Sequence, residues 1–115
     1  MKSLLLACFA LLAVAPAHAR PASCSLALAD REVFAGDDCD FDSHDKDGSF
    51  QLTAPGGEFF VYVNMDAPGV AQGYWNGWGR GSHAHDPLGT LTRDKADPAC
   101  WVNDDARVCA RWPAA

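Results

Sequence analysis

Apolar and polar residues alternate with a period of two in several short segments, and clusters of Gly, Pro and Asp separate these segments. This pattern is typical of β-strands that bury one face. The strongest segment is residues 58–65, which contains five consecutive aromatic or β-branched residues, the types that strands favour. Residues 49–53, 70–75 and 88–93 show the same pattern. We therefore predict strands over these four segments.

Short turns join the predicted strands into one domain. Pro55-Gly56-Gly57 separates the strands predicted over residues 49–53 and 58–65 and predicts a hairpin. Residues 26–34 fit either one helical turn or a strand. No internal repeat or low-complexity linker divides the chain. We expect a mostly β fold, namely a small single-domain sandwich or open barrel of about five or six short strands.

The N-terminal 19 residues have the three parts of a secretory signal peptide. Lys2 precedes an apolar run over residues 4–14, and Ala17-His18-Ala19 supplies small residues for cleavage after Ala19. A competing lipobox-like match would make Cys8 a lipidated N-terminus, but the apolar run continues past it. The run is shorter than the ~20 residues that span a bilayer. We expect one β-rich domain over residues 20–115, exported to the periplasm or the extracellular space.

Removal of the leader leaves an acidic chain with four cysteines. The net charge changes from −6 to −7 because Lys2 is the one charged residue removed. Cys100 and Cys109 flank an Asn-Asp-Asp-Ala turn, and a hairpin in which Val102 faces Arg107 would place the two cysteines opposite each other. Cys24 then pairs with Cys39 by elimination, although an N-to-C clasp such as Cys24 to Cys109 is also compatible with the sequence. Each bridge is expected to contribute roughly 3 kcal/mol.

Negative charge is densest between residues 37 and 48, where six carboxylates lie within twelve residues: Asp37, Asp38, Asp40, Asp42, Asp45 and Asp47. Calcium is the obvious cation for such a segment. With Gly48 aligned to the glycine of an EF-hand loop, Asp45 and Asp47 take the third and fifth positions, but Ser43 and Ala54 fail at the first and last. The sequence therefore favours a solvated acidic loop with an Asp-Gly turn over a calcium site that is not an EF-hand.

A second candidate metal site is Ser82-His83-Ala84-His85-Asp86. His83 and His85 would share one face of an extended segment, and zinc or copper binds imidazoles at this spacing. Asp86 is placed either to complete the ligand set or to orient a ring. The alternative is a turn at Asp86-Pro87 with the histidines packed on neighbouring aromatics.

Three aromatic residues are interleaved with four glycines over residues 73–81. We predict that Trp75 and Trp101 belong to the core, since the chain is poor in isoleucine. Tyr74 and Trp78 are the candidates for an exposed, partner-binding surface.

The segment over residues 73–110 resembles small secreted proteins predicted in many proteobacterial genomes, a group without an assigned function. The resemblance rests on three motifs: Tyr74-Trp75-Asn76-Gly77, His83-Ala84-His85-Asp86-Pro87-Leu88-Gly89 and Cys100-Trp101-Val102-Asn103. It covers about a third of the chain. It implies a bacterial, exported origin and carries no catalytic residue across.

These observations favour a secreted or periplasmic non-enzymatic binding module. Its acidity suits a cationic protein or peptide, which it would inhibit or scavenge, with the six aspartates steering the partner and Tyr74 and Trp78 anchoring it. The alternatives are a protein that binds calcium, zinc or copper, and a small cell-wall hydrolase that uses His83, Asp86 and a serine. The common hydrolase and metalloprotease motifs are missing from the sequence. Nucleic acid is a poor partner for a chain of charge −7.

Overall fold

The computed structural model describes residues 19–112, which form eight β-strands. Their bounds are β1 Ala19–Leu28, β2 Arg31–Ser43, β3 Phe50–Thr53, β4 Phe60–Ala67, β5 Val70–Trp75, β6 Asp86–Arg93, β7 Cys100–Val102 and β8 Ala106–Arg111. Residues 1–18 of the predicted 19-residue leader, with Cys8, lie outside the described residues. Within those residues no helix is long and apolar enough to cross a membrane.

Each strand pairs antiparallel with the next, and β8 pairs with β1, so the sheet closes into a barrel. The prediction of a mostly β single domain is confirmed, but the predicted five or six strands and the sandwich or open barrel are wrong. The missing strands are β1 and β2, where Ala, Ser, Gly and Asp predominate. These residues have low strand propensity, so the pattern was weak there. Closure supplies what local propensity lacks, because it pairs every strand on both edges.

The inward-facing positions of the strands form a single apolar core. Leu26, Leu52, Val61, Val63 and Leu91 are fully buried within it. An eight-stranded barrel has an interior just wide enough for side chains to fill it or for one small ligand to enter. The predicted core residues Trp75 and Trp101 are 4% and 3% exposed, which confirms that prediction.

Both predicted disulfides are present. Cys100 lies directly opposite Cys109 on β7 and β8, and Val102 faces Arg107 as predicted. The Cys24–Cys39 bridge joins β1 to β2 inside the core cluster. The N-to-C clasp is therefore wrong.

The barrel has two distinct ends. Residues 29–30, 54–59, 76–85 and 103–105 connect the strands at one end, which carries Trp78 and is called the Trp78 end. Residues 44–49, 68–69 and 94–99 connect them at the other, where the described chain ends at Trp112, and this is called the Trp112 end.

Candidate functional site

The first four aspartates of the acidic segment lie within strand β2 and not in a loop, which corrects the sequence prediction. Asp40 pairs in register with Thr53 of β3, and Asp42 pairs with Gln51. Phe50 and Leu52 of the same strand are buried in the core. Since side chains alternate across a strand, Asp40 and Asp42 project from the outer face of the barrel.

The remaining two aspartates, Asp45 and Asp47, lie in the turn between β2 and β3. The Asp45 carboxylate accepts hydrogen bonds from the backbone N–H of Ser49 at 3.0 Å and of Asp47 at 2.9 Å. These bonds, that from Ser49 first, lower the pKa of Asp45 below its ordinary value. Asp45 therefore shapes the turn, and Gly48 completes it with a φ of 104°.

A row of outward-facing side chains crosses four neighbouring strands. Asp42 lies opposite Gln51, Gln51 opposite Tyr62 of β4, and Tyr62 opposite Tyr74 of β5. The Phe60 ring lies beside Tyr62 with centroids 5.8 Å apart. We call this surface the acidic–aromatic face, and it comprises Asp40, Asp42, Gln51, Phe60, Tyr62 and Tyr74. It brings together three of the predicted partner-binding residues.

The acidic–aromatic face ends in an imidazole next to its aromatic rings. His44 follows β2, and its ring meets the Tyr62 ring edge-on at a centroid distance of 5.4 Å. Its backbone N–H donates to the Ser49 carbonyl at 2.8 Å, which holds the residue at the start of the turn. The face therefore has a defined border at the Trp112 end.

Trp78 does not belong to this face. It is 46% exposed, and its ring packs edge-on against the core residue Trp75 at 5.2 Å. The Arg31 guanidinium lies 4.1 Å above the Trp78 ring. Tyr74, by contrast, is half-buried and projects outward from β5. The structure thus separates the two aromatic residues that the sequence grouped as one anchor.

The histidine motif lies in the long connection between β5 and β6. His83, His85 and Asp86 line a shallow depression together with Asn76 and several glycines. The two imidazole centroids are 5.3 Å apart, and the Ser82 hydroxyl lies 3.1 Å from His83 Nδ1. Among residues 19–112, no group of three or more His, Cys, Asp or Glu side chains is placed to hold a metal ion. In the same range, no hydrogen bond joins Asp86 to either imidazole, and the side-chain partner of His83 is the Ser82 hydroxyl.

Ion pairs cluster near the Cys100–Cys109 bridge. Arg107 contacts Asp94 at 3.0 Å, and Arg111 donates to Asp97 at 2.9 Å. The pKa of Asp97 is lowered first by the hydrogen bond from Arg111, and that of Asp94 first by the backbone N–H of Ala96. These carboxylates are thus paired, whereas Asp37, Asp38, Asp40 and Asp42 form no ion pair within the described part of the chain.

Sequence reasoning did not assign Phe60 and Tyr62 to the site. The information was present, because both alternate with Val61 and Val63, and the valines are fully buried. Residues on opposite faces of one strand have opposite roles, so burial of the valines turns Phe60 and Tyr62 outward.

No protein-family model, curated protein or solved structure matches the chain. The class that the fold defines is a small, disulfide-braced, closed antiparallel barrel, and its function has to be inferred from its own surface.

Proposed function

We propose that this protein is an exported, non-enzymatic module that binds a cationic protein or peptide through the acidic–aromatic face. The observation that carries the proposal is the register that joins Asp42, Tyr62 and Tyr74 across adjacent strands. Carboxylates attract a basic partner over a distance, and half-buried aromatic rings supply contact area at short range.

The unpaired state of the β2 carboxylates supports the proposal. The Ser23 hydroxyl donates to Asp37 at 3.0 Å, but no arginine or lysine within residues 19–112 neutralises Asp37, Asp38, Asp40 or Asp42. An external cation can therefore pair with them without displacing an internal partner. In a chain of net charge −6 this surface would also steer basic partners during encounter.

Rigidity of the surface is a second support. The face lies on strands hydrogen-bonded on both sides, and Cys39, between Asp38 and Asp40, is bridged to Cys24 in the core. A backbone that is already fixed by a scaffold loses little entropy when a partner binds.

The cysteines and the N-terminal sequence support an exported location for the protein. Two disulfides are consistent with an oxidising periplasmic or extracellular environment, and the signal-peptide pattern of the first 19 residues supports export. We place the chain with the small secreted proteobacterial proteins that it resembles.

The test is a binding assay against a panel of basic proteins and peptides, with lysozyme and polylysine as the first probes, at low and high salt. We expect the double variant Asp40→Asn, Asp42→Asn to bind about two- to thirtyfold more weakly, because each exposed pair contributes about 0.2–1 kcal/mol. Added salt should weaken binding further.

The matched control is Asp104→Asn, Asp105→Asn, which removes the same charge from exposed residues of the β7–β8 turn at the Trp78 end. Its binding should equal that of the wild type. Equal losses in both double variants would reduce the effect to net charge and contradict a defined face. Absence of binding to every basic probe at low salt would refute the function itself.

A further inference from the structure

A cavity opens at the Trp112 end of the barrel, away from both candidate sites of the sequence. Its volume is about 240 Å³. Its lining includes the small side chains of Ala22 and Ala110 and four aromatic rings, namely Phe41, Phe50, Trp101 and Trp112. The cavity therefore suits a compact ligand with an apolar body.

Arg93 and the ion-paired Arg111 line the cavity, and Arg20 stacks on one of its lining rings. The Arg93 guanidinium lies 4.6 Å from the centroid of the Trp101 ring. The Arg20 guanidinium lies 4.3 Å from the centroid of the Trp112 ring. Arg93 follows the buried Leu91 by two positions, and Arg20 precedes the buried Ala22 by two, so both take inward-facing positions at strand ends.

The charge of these arginines is not neutralised within the barrel. Arg80, Arg107 and Arg111 form ion pairs, but Arg20 and Arg93 form none within residues 19–112. The carboxylates in the neighbouring loop, Asp94 and Asp97, pair instead with Arg107 and Arg111. An acidic protein thus presents cationic groups at the edge of an aromatic cavity.

We infer that this cavity is a binding site for a small organic anion, a monocarboxylate with a compact aromatic or apolar body. The ring of the ligand packs against Phe41 and Trp112, the more exposed of the four lining rings, and its carboxylate faces the guanidinium of Arg93, which suits planar carboxylates. The mouth of a β-barrel is a common location for such sites. This site is separate from the acidic–aromatic face, whose residues project outward, so either can fail without the other.

Benzoate is the probe, with benzyl alcohol as the neutral analogue and benzylamine as the cationic one. The full-length chain is expressed in an export-competent host and purified with its disulfides oxidised. Tryptophan fluorescence and the indole N–H signals in ¹H–¹⁵N spectra report binding. We expect saturable benzoate binding that shifts the Trp101 and Trp112 signals. Benzyl alcohol should bind more weakly than benzoate, and benzylamine should not bind.

Three variants test the assignment. Arg93→Gln should weaken benzoate binding about tenfold and leave benzyl alcohol unchanged, because it removes one charge-assisted contact. Arg80→Gln removes the same charge at the opposite end, where Arg80 pairs with Glu58, and should bind benzoate like the wild type. Ala110→Leu fills the cavity and should abolish binding of both benzoate and benzyl alcohol.

Retained dispersion of the ¹H–¹⁵N spectrum identifies the variants that fold. Equal affinity for benzoate and benzyl alcohol, or benzoate binding unchanged in folded Arg93→Gln, would overturn the anion site. Absence of saturable binding to the wild type, or shifts confined to the Trp75 and Trp78 signals, would overturn the location.

Discussion

Asn76, the first residue after β5, makes two hydrogen bonds with Phe60 of β4. Its side-chain carbonyl accepts the Phe60 N–H at 2.9 Å, and its own backbone N–H donates to the Phe60 carbonyl at 3.3 Å. Its side-chain amide donates to the carbonyls of Glu58 and Gly81. Asn76 is 6% exposed, so this one side chain extends the β4–β5 pairing and anchors the connection that carries Trp78 and the histidines.

We expect Asn76→Ala to lower the free energy of unfolding by about 1–3 kcal/mol, because it leaves the partly buried Phe60 N–H without its acceptor. Urea unfolding measures the loss. Asn64→Ala is the control, since Asn64 lies half-buried on the outer face of β4. A loss in Asn76→Ala no larger than in Asn64→Ala would refute the anchoring role.

Local pattern predicted well those strands whose sequences alternate strongly. Residues 70–75 form β5 with the predicted bounds, and the Cys100–Cys109 hairpin has the predicted register. Local pattern left residues 26–34 open between a helical turn and a strand. It did not indicate the rest of β1 and β2, because their small and acidic residues gain strand structure from pairing and burial. Barrel closure itself joins Leu28 to Ala106, a contact too distant along the chain for any local pattern to indicate.

The residues of the candidate sites could be predicted individually in part, but their spatial grouping could not. Asp40, Asp42 and Tyr74 stood out by charge or ring type, but only the strand register joins them into one face. The cavity at the Trp112 end was not predicted at all. Arg20 and Trp112 lie far apart in sequence and meet because β1 and β8 are neighbouring strands of the closed barrel. The cavity lining likewise combines Ala22, Phe50 and Trp101 from three different strands.

Gly73 allows Leu91 and Leu88 to pack close to strand β5. A Cβ atom at this position would lie 2.7 Å from a Leu91 methyl carbon and 3.1 Å from Leu88 Cβ. We expect Gly73→Ala to destabilise the protein by about 1–3 kcal/mol, the usual effect of overpacking. Gly79→Ala is the matched control, because a Cβ there meets no atom within 4 Å. If thermal unfolding shows equal stability for both variants, the close packing at Gly73 does not constrain the core.

Acid should destabilise the barrel through its hydrogen-bonded aspartates. The pKa values of Asp45, Asp94 and Asp97 lie below the ordinary 3.8, so these groups favour folding once the unfolded chain has ionised. Their contribution is complete above that value, and it disappears as the pH falls through the lowered pKa values. We expect urea midpoints that are steady well above pH 4 and decline below it.

Asp97→Asn tests the cluster of ion pairs that Asp94 and Asp97 form with Arg107 and Arg111. The variant should be less stable than the wild type near neutral pH and should lose less stability on acidification, since one titrating partner of Arg111 is gone. Arg111→Gln should reproduce this behaviour, and the double variant should add little to either change. If the stability losses of the two single variants add fully in the double variant, the Asp97–Arg111 pair does not cause the pH dependence.

The two disulfides should differ in their contribution to stability. Loop closure alone assigns each about 3 kcal/mol, because their sequence separations of 15 and 9 residues differ little on a logarithmic scale. Cys24 and Cys39 also belong to the core cluster, whereas Cys100 and Cys109 are buried outside it. Replacing the first pair by alanine removes packed sulfur atoms from the core and leaves a cavity there. We therefore expect Cys24→Ala, Cys39→Ala to lose more free energy of unfolding in urea than Cys100→Ala, Cys109→Ala, and the reverse order would show that loop constraint dominates over packing.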